Sequence, residues 1–484
     1  MRSRVTFQLQ RILEQAHEAD LAQAHTFSKS LGVGAGSKKH VDVPDGFSPH
    51  DYAVFLLHVA AEIEHGLLVQ YLFAAYSLGG PQVPAEHHDK VARWQAVLLG
   101  IAREEMGHLV TVQNLLKLLG GPINLERDDF PWDTPFYPFP FSLEPVSLGS
   151  LARYVCIESP ETWPDPWAKR RAEIEGIGFP GGASDFKRVG LLYETLKNLV
   201  GDKTLIPDDL FHADTLSFQA SFAEWGRGYA AGARGATEPG ARVPDVLIHT
   251  AYSRSTALDA LEAVAEQGEA SHADGDKDPA PSHFERFMGL FLEIEAVTGW
   301  TPWRPVAANP RAVGDPDAVP GTTYIGNPVA RVWARLLNLR YRMLLSYIAH
   351  SFRISGDYTS ADGLTRSAVL NRAFGEMYNL RAIANILVSM PADDPKQPER
   401  AAPSFELPYS MDLPMLDRDA WRQHIDLLQA SAKLIGQIHG TAGSAADAYL
   451  DSLLALDGQA IATFEAAVRG SRGPGLAYSV GGRA

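Results

Sequence analysis

The sequence predicts an all-α protein built around a four-helix bundle, with a long insertion between bundle helices two and three and additional C-terminal helices. Apolar side chains recur every three to four residues over long stretches, at about residues 51–78, 90–119 and 328–352, as on the buried face of a helix. Glycine and proline interrupt the pattern between these stretches, and no alternating pattern is strong enough to build a sheet.

The first two bundle helices have clear start and stop signals. Ser48 and Pro49 provide a cap and a first-turn proline for a helix that runs to about Leu78. The second helix runs from about Lys90 to Leu119 and ends at two glycines and a proline. We expect the two helices to form an antiparallel hairpin.

The same periodicity predicts the other helices. The insertion, residues 123–245, is rich in Pro, Trp, Phe and Gly. The predicted organisation is an N-terminal helix and linker at 1–47, a metal-binding bundle at 48–300 and a C-terminal helical region at 301–484. The remaining predicted helices are, in order, 5–25, 148–157, 188–200, 244–270, 282–297, 328–352, 367–390, 418–439 and 445–468.

Composition and charge exclude several classes of function. The formal net charge of −15 over 484 residues argues against a nucleic-acid-binding surface. The single cysteine, Cys156, excludes an internal disulfide framework and cysteine-rich metal sites. The sequence has no apolar run typical of a membrane span and no signal-peptide core near Met1, so we expect a cytoplasmic protein without a membrane partner. The sequence leaves open whether the chain forms a homodimer.

The most informative motif is Glu105-x-x-His108 in the second bundle helix. Both side chains fall on the apolar stripe that includes Ile101 and Val112, so we expect them to point into the core. A buried carboxylate is unfavourable unless its charge is compensated, and a metal ion compensates it. A Glu-x-x-His pair on the inward face of a bundle helix is typical of ferritin-like di-iron and di-manganese proteins. An isolated pair is more often a hydrogen-bonded core feature, so the interpretation depends on partners in other helices.

The first bundle helix supplies a matching carboxylate. Glu64 shares one face with Leu57 and Tyr71, and it is therefore predicted to point inward near the middle of the helix. Glu62 and His65 lie nearby, and we interpret them as solvated side chains or as side chains that support the ligands.

Glu269 and His283 are predicted to supply the second half of the site. The loop between the third and fourth bundle helices is centred near residue 276, and the two residues are equidistant from that centre. Equidistant positions lie side by side in an antiparallel hairpin, so the two side chains should meet. A slip along the helix would substitute Glu266 or Glu262 for Glu269, and both alternatives stay open.

Carboxylates and imidazoles without thiolates favour iron or manganese. The set has one carboxylate fewer than a symmetric di-iron site, so a site with a single metal ion also stays open. Arg286 lies one turn after His283 and either holds a substrate carboxylate, as a catalytic residue, or forms a surface salt bridge. The predicted metal ligands are Glu64, Glu105, His108, Glu269 and His283.

A series of short motifs extends this pattern along the chain: Glu62-Ile-Glu64-His65, Gln70-Tyr71-Leu72, Arg103-Glu-Glu105-Met-Gly-His108, Glu158-Ser-Pro160-Glu161, Gly190-Leu-Leu-Tyr193, Glu266-Gln-Gly-Glu269, Ser282-His-Phe-Glu-Arg-Phe287, Met377-Tyr-Asn-Leu380 and Ala402-Pro403-Ser-Phe405-Glu406. In this order they resemble the ferritin-like domain of the iminophenyl-pyruvate dimer synthase family, whose members act in violacein and rebeccamycin-type pathways. The resemblance covers roughly residues 48–410. Those enzymes carry a large additional N-terminal region, which this sequence lacks.

The resemblance implies a ferritin-like bundle that holds non-haem iron, most simply as two ions. We expect an oxidoreductase of secondary metabolism that uses oxygen or peroxide to oxidise a small, amino-acid-derived molecule. The insertion should cover the site and select the substrate. Tyr71 and Tyr193 line the pocket, carry redox equivalents or, as we favour, pack in the core. The order of ligands also resembles that of manganese catalases, so peroxide disproportionation is an alternative activity, and a non-catalytic metal-binding protein is another.

Overall fold

The computed structural model describes residues 41–132, 139–181, 188–225, 248–269, 281–314, 319–360, 363–408 and 410–470. Regular structure in these residues is almost entirely helical, which confirms the predicted class. The predicted helix at 5–25 lies outside them. The α-helices are α1 (Pro49–Ser77), α2 (His88–Leu118), α3 (Leu148–Ile157), α4 (Arg171–Gly178), α5 (Gly190–Gly201), α6 (Phe222–Trp225), α7 (Arg254–Glu269), α8 (His283–Glu295), α9 (Pro328–Ser351), α10 (Arg366–Leu387), α11 (Asp417–Ile438) and α12 (Ser444–Gly470).

The chain divides into two compact units. The first extends to Leu216, resumes at Ala220–Arg304 and contains α1 to α8. The second consists of Ser217–Gln219 and the chain from Pro305 onward, and it contains α9 to α12.

Helices α1 and α2 form the most extensive helix pair of the first unit. The Ser48 side chain caps α1 by accepting a hydrogen bond from the Asp51 backbone N–H, and Pro49 begins the helix, as the sequence predicts. Gly79 follows α1 and Gly120 follows α2, with φ of 90° and 70°. These left-handed conformations favour glycine, which explains why both helices end where they do.

Helix α1 is buried on nearly every side. Glu62, Ile63, Glu64 and His65 are consecutive and all buried, so the interpretation of Glu62 and His65 as solvated is wrong. The Asn124 side-chain amide donates a hydrogen bond to Glu62 at 3.3 Å. Within the described residues, α1 is also long and apolar enough to cross a membrane, but 83% of its apolar window is buried inside the protein. It therefore serves as a core helix of the bundle.

The segment between α2 and α7 contributes walls to the bundle. Helix α3 packs against α8, and α5 packs against both α7 and α1. At the first of these contacts the rings of Tyr154 and Phe287 lie 5.3 Å apart, centroid to centroid. The segment therefore flanks the bundle helices as well as connecting them.

Helices α7 and α8 complete the bundle and pack against each other and against α2. Helix α7 begins at Arg254, so the prediction of helix is wrong at 248–253. The Ser253 hydroxyl accepts a hydrogen bond from the Thr256 backbone N–H at 3.3 Å, so Ser253 caps the N-terminus and the helix begins after it. Helix α8 begins with a capping box in which Ser282 and Glu285 exchange hydrogen bonds. The connection at 270–280 is outside the described residues.

In the second unit, α9 packs against α10 and α11, and α11 packs against α12. Its core holds two polar groups. The Arg340 guanidinium binds Glu376 at 2.6 Å and Asp457 at 2.7 Å. His350 Nδ1 and His424 Nε2 lie 2.9 Å apart.

Two very short strands precede α9. They are β1 (Pro310–Arg311) and β2 (Thr323–Tyr324), and they pair in parallel. Strands of two residues leave no alternating pattern to detect, which is why the sequence shows none.

Candidate metal centre

Two groups of buried ligands lie side by side in the first unit and share Glu105. Ligand atoms of Glu64, Glu105 and His108 lie within 4.8 Å of one another. Ligand atoms of Glu105, Glu158 and His283 meet the same limit. Four of these five residues are among the predicted ligands, and Glu158 is the addition.

Glu105 stands between the two histidines. Its Oε2 is 3.1 Å from His108 Nδ1, and its Oε1 is 2.8 Å from His283 Nδ1. On the outer sides, Glu64 Oε2 is 3.4 Å from His108 Nδ1, and Glu158 Oε2 is 3.8 Å from His283 Nδ1. Each histidine therefore faces one carboxylate of its own and one that is shared.

Four helices position these side chains. Glu64 is in the middle of α1, and Glu105 and His108 lie one turn apart on α2, so they share a face. His283 is the first residue of α8, and Glu158 directly follows α3. The site thus depends on packing between segments that are far apart in sequence.

Several of the candidate ligand atoms that face the centre have no hydrogen-bond partner. Among the described residues, Glu64 Oε2, Glu105 Oε1 and His283 Nδ1 have no hydrogen-bond partner, although the last two approach closely. Leaving a buried polar atom unpaired is unfavourable, so such atoms need another partner. Carboxylate oxygens and imidazole nitrogens that converge in this way fit a divalent ion such as iron or manganese. The residues present therefore fit a metal centre.

The electrostatics of the cluster also favour bound cations. Burial and the adjacent Glu105 carboxylate raise the pKa of Glu64 to about 8. Burial alone would lower the pKa of His108, but Glu105 and Glu64 raise it to about 10. The pKa of His283 is raised in spite of burial, chiefly by Glu105 and Glu104. Imidazoles that hold protons this tightly show a surplus of buried negative charge, which metal ions would neutralise.

The second nitrogen of each histidine binds a residue outside the two groups. His108 Nε2 donates to Gln267 Oε1 at 2.8 Å. His283 Nε2 donates to Glu104 Oε2 at 3.0 Å. Such bonds fix the orientation of a histidine ligand and leave its other nitrogen free for metal. Burial alone would raise the pKa of Glu104, but the hydrogen bond from His283 and the charge of Arg286 hold it below its usual value.

Arg286 occupies neither of its predicted positions. Its guanidinium donates to both carboxylate oxygens of Glu104, and its side chain is only 12% exposed. It is therefore neither a surface salt bridge nor a free cation for a substrate carboxylate. The geometry supports a positioning role, in which Arg286 holds Glu104 against His283.

The two tyrosines contact ligand carboxylates. The Tyr193 hydroxyl donates to Glu64 Oε1, and the Tyr71 hydroxyl donates to Glu158 Oε1. Both rings are buried. In each carboxylate the phenol binds one oxygen, which leaves the other directed at the histidine. The expected choice between pocket lining and core packing is thus too simple, because both tyrosines also orient candidate ligands.

Two acidic residues of α7 lie at the surface. Glu262 is exposed and forms an ion pair with Lys197, and Glu266 is exposed as well. Neither reaches the cluster. Glu269 is the last residue of α7, and its side chain lies outside what the structure describes. Its role as a ligand stays a prediction.

A small cavity adjoins the ligands. It measures about 10 Å³ and is lined by Glu64, Glu105, His108 and Glu158 on one side and by residues of α5 and α7 on the other. This volume is on the scale of a single water molecule. A Cβ atom added to Gly268 would lie 3.3 Å from Glu158 Oε2, so glycine leaves room beside that carboxylate.

Sequence reasoning missed Glu158, Glu104 and Gln267. The signal for Glu158 is present, because Leu151, Tyr154 and Glu158 follow one another at three and four residues and mark one buried face. Glu104 and Gln267 carry no such signal, since their contacts depend on how α8 and α7 pack.

Comparisons with known proteins agree with this architecture. Residues 57–292 match a family model described as Ferritin-like. The chain is 31% identical to dichlorochromopyrrolate synthase of Lentzea aerocolonigenes over 383 residues, which are 71% of this chain and 35% of the relative. It is 25% identical to 2-imino-3-(indol-3-yl)propanoate dimerase of Chromobacterium violaceum over 374 residues, which are 69% of this chain and 32% of the relative.

The chain spans about a third of the length of these curated relatives. A solved ferritin-like protein from Caulobacter vibrioides is 18% identical, with a TM-score of 0.37, and the match covers 70% of this chain and 98% of that one. The family model and the sequence relatives agree with the helical bundle described above. The chain therefore matches a ferritin-like family model over residues 57–292 and is similar in sequence to both enzymes.

Proposed function

We propose that the chain is an oxidoreductase with a non-haem di-iron centre at Glu64, Glu105, His108, Glu158 and His283. The observation that carries the proposal is the pair of buried ligand groups that share Glu105. Adjacent groups with one shared carboxylate suit a pair of metal ions, and the ferritin-like domain supports the same interpretation.

Glu269 is proposed as a sixth ligand. The carboxylates of Glu64, Glu105 and Glu158 leave two divalent ions with a net positive charge, so a fourth carboxylate would make the centre neutral. It would also complete the set of four glutamates and two histidines that symmetric di-iron bundles use. Gly268, the preceding residue, lines the cavity, so the backbone of α7 reaches this level of the site.

Bound iron would supply redox chemistry with oxygen or peroxide. The chain's own residues have three supporting roles. Tyr71 and Tyr193 hold the outer carboxylates in place, and Glu104 and Gln267 hold the histidines. The burial of the tyrosines, the histidines and the glutamates keeps bulk water out, which strengthens every charge interaction at the site.

The names of the relatives guide the proposed substrate class. One of them is named for 2-imino-3-(indol-3-yl)propanoate, an imino acid with an indole side chain. We propose that this chain also acts on a small, amino-acid-derived molecule in secondary metabolism.

A manganese centre that disproportionates peroxide is the second candidate. The same buried carboxylates and imidazoles support it, because such a donor set suits manganese as well as iron.

The test starts with elemental analysis of protein purified without chelator, followed by oxygen measurements. Iron together with oxygen uptake that depends on an α-imino or α-amino acid would support the first proposal. Manganese with oxygen release from peroxide would support the second. His108→Ala should lose metal and activity, whereas His88→Ala, at an exposed position of α2, should keep both. Protein without bound metal that also takes up none would refute both proposals.

A further inference from the structure

Among the described residues, the two histidines of the candidate centre differ in the partner of their outer nitrogen. His283 Nε2 donates to the carboxylate of Glu104 at 3.0 Å. His108 Nε2 donates to the side-chain amide of Gln267 at 2.8 Å. One histidine therefore has an anionic acceptor and the other has a neutral one.

The other described contacts of the two positions are matched. Each histidine directs Nδ1 at the shared Glu105. Each outer carboxylate accepts a hydrogen bond from a tyrosine, Glu64 from Tyr193 and Glu158 from Tyr71. Among these contacts, the difference in charge between the positions thus lies in the histidine partners.

An anionic acceptor makes a histidine a stronger ligand. Hydrogen bonds that end on an ionised group are roughly twice as strong as neutral ones, and a carboxylate behind a metal-bound histidine raises its basicity. Arg286 binds both oxygens of Glu104 and keeps this carboxylate in place. The positive charge of Arg286 weakens the long-range effect of the Glu104 charge on the site. The hydrogen bond from His283 nevertheless ends on an ionised oxygen.

We infer that the two positions bind metal with different affinities, that the His283 position fills first, and that Glu104 and Gln267 are the positioning residues that set the difference. The inference rests on the proposed metal centre. It adds to that proposal an order of loading and the residues that control it.

Anaerobic titration of the metal-free chain with Co²⁺ tests the order. Visible absorption counts the ions bound, and the shifted proton signals of the histidine N–H groups show which histidine has bound one. We expect two steps that differ by about 10- to 100-fold in affinity, the size of effect that such supporting residues usually have. The N–H signal of His283 should appear in the first step.

Two substitutions change the histidine partners in opposite directions. Glu104→Gln should weaken the first step, and Gln267→Glu should strengthen the second, so that each brings the steps together. Glu295→Gln is the matched control, because Glu295 also binds an arginine through both oxygens but lies at the far end of α8. It should leave both steps unchanged. Gln267→Glu leaves Arg286 paired and therefore tests the idea even where Glu104→Gln folds poorly.

The outcomes separate this inference from the proposed function. Two ions bound with equal affinity would overturn the inference and leave the proposed metal centre intact. The same holds for two binding steps whose affinities do not change in the Gln267→Glu variant. A first binding step in which the N–H signal of His108 appears would overturn the inference as well. A chain that binds no Co²⁺ would remove the proposed centre itself.

Discussion

Replacing Glu158 by glutamine should remove one of the two metal ions and leave the other. Glu158 Oε1 accepts the hydrogen bond of Tyr71, and Oε2 faces His283 at 3.8 Å. Glutamine has the same size, and its amide oxygen still accepts from the phenol. The NH₂ group that takes the place of Oε2 has no lone pair to offer a cation. The protein should therefore fold normally and lose a ligand.

The expected magnitude follows from the position of this carboxylate. Loss of a residue that merely supports a ligand costs about 10- to 100-fold in metal affinity, so loss of the ligand should cost at least about 100-fold, or about 2.7 kcal/mol. At free metal about ten times the wild-type Kd, occupancy of this position should fall from about 90% to about 10%. The group of Glu64, Glu105 and His108 is untouched, so the metal-to-chain ratio should fall by about 0.8, which is the change at this position alone.

Equilibrium dialysis at that metal concentration, followed by elemental analysis, measures the ratio. Glu161→Gln is the control, because Glu161 lies three residues further along the same loop and is exposed. Circular dichroism checks that both variants are folded. A Glu158→Gln protein with the same metal-to-chain ratio as the wild type would refute the assignment of Glu158 and the arrangement in two groups.

Glu105→Ala should release both ions, since Glu105 belongs to both ligand groups; one remaining ion in elemental analysis would show that the carboxylate is not shared. Glu269→Gln should lower the metal-to-chain ratio, and Glu266→Gln, at an exposed position, should not. Loss of metal in the Glu266 variant alone would show that the ligand of α7 is Glu266, one turn before Glu269. Acid should weaken the second unit. Burial and then His424 hold the pKa of His350 well below its usual value, and burial lowers the pKa of His424 to about 3. Folding depresses both pKa values, so the two neutral histidines contribute fully to the free energy of unfolding above about pH 6.5. As the pH falls towards 3, that free energy should decrease by up to about 1.4 kcal/mol per pH unit for each histidine. Urea unfolding at about pH 7 and about pH 5 measures the decrease in the free energy of unfolding. An equal decrease after both histidines are replaced by leucine would contradict the prediction.

Periodicity was sufficient to place Glu64 and Glu105 on the buried faces of their helices. Glu64 and Glu105 lie on long stripes of apolar residues, and such stripes define an inward face without any knowledge of the neighbours. The capping signals at Ser48 and Ser282 likewise act within one turn of helix, so the starts of α1 and α8 are visible in the sequence.

The supporting groups could not be predicted because they depend on contacts between helices. Glu104 is adjacent to Glu105 on α2 and points in another direction, which a one-helix analysis would assign to solvent. It is buried because its carboxylate meets His283 and Arg286 on α8. Gln267 is an ordinary helical residue until α7 brings it to His108.

The segment between α2 and α7 supplies Glu158 to one ligand group and Tyr193 to the other. It therefore cannot be treated as an exchangeable lid. A chimaera that took this segment from a relative, in order to change the substrate, would replace a candidate metal ligand and the phenol that orients another in the same operation. A shortened chain that joined α2 directly to α7 would keep a helical bundle but lose Glu158. Engineering of specificity in this protein would have to start from cavity-facing residues of α7 such as Val264 and Ala265, which shape the space beside the candidate metal centre without belonging to either ligand group.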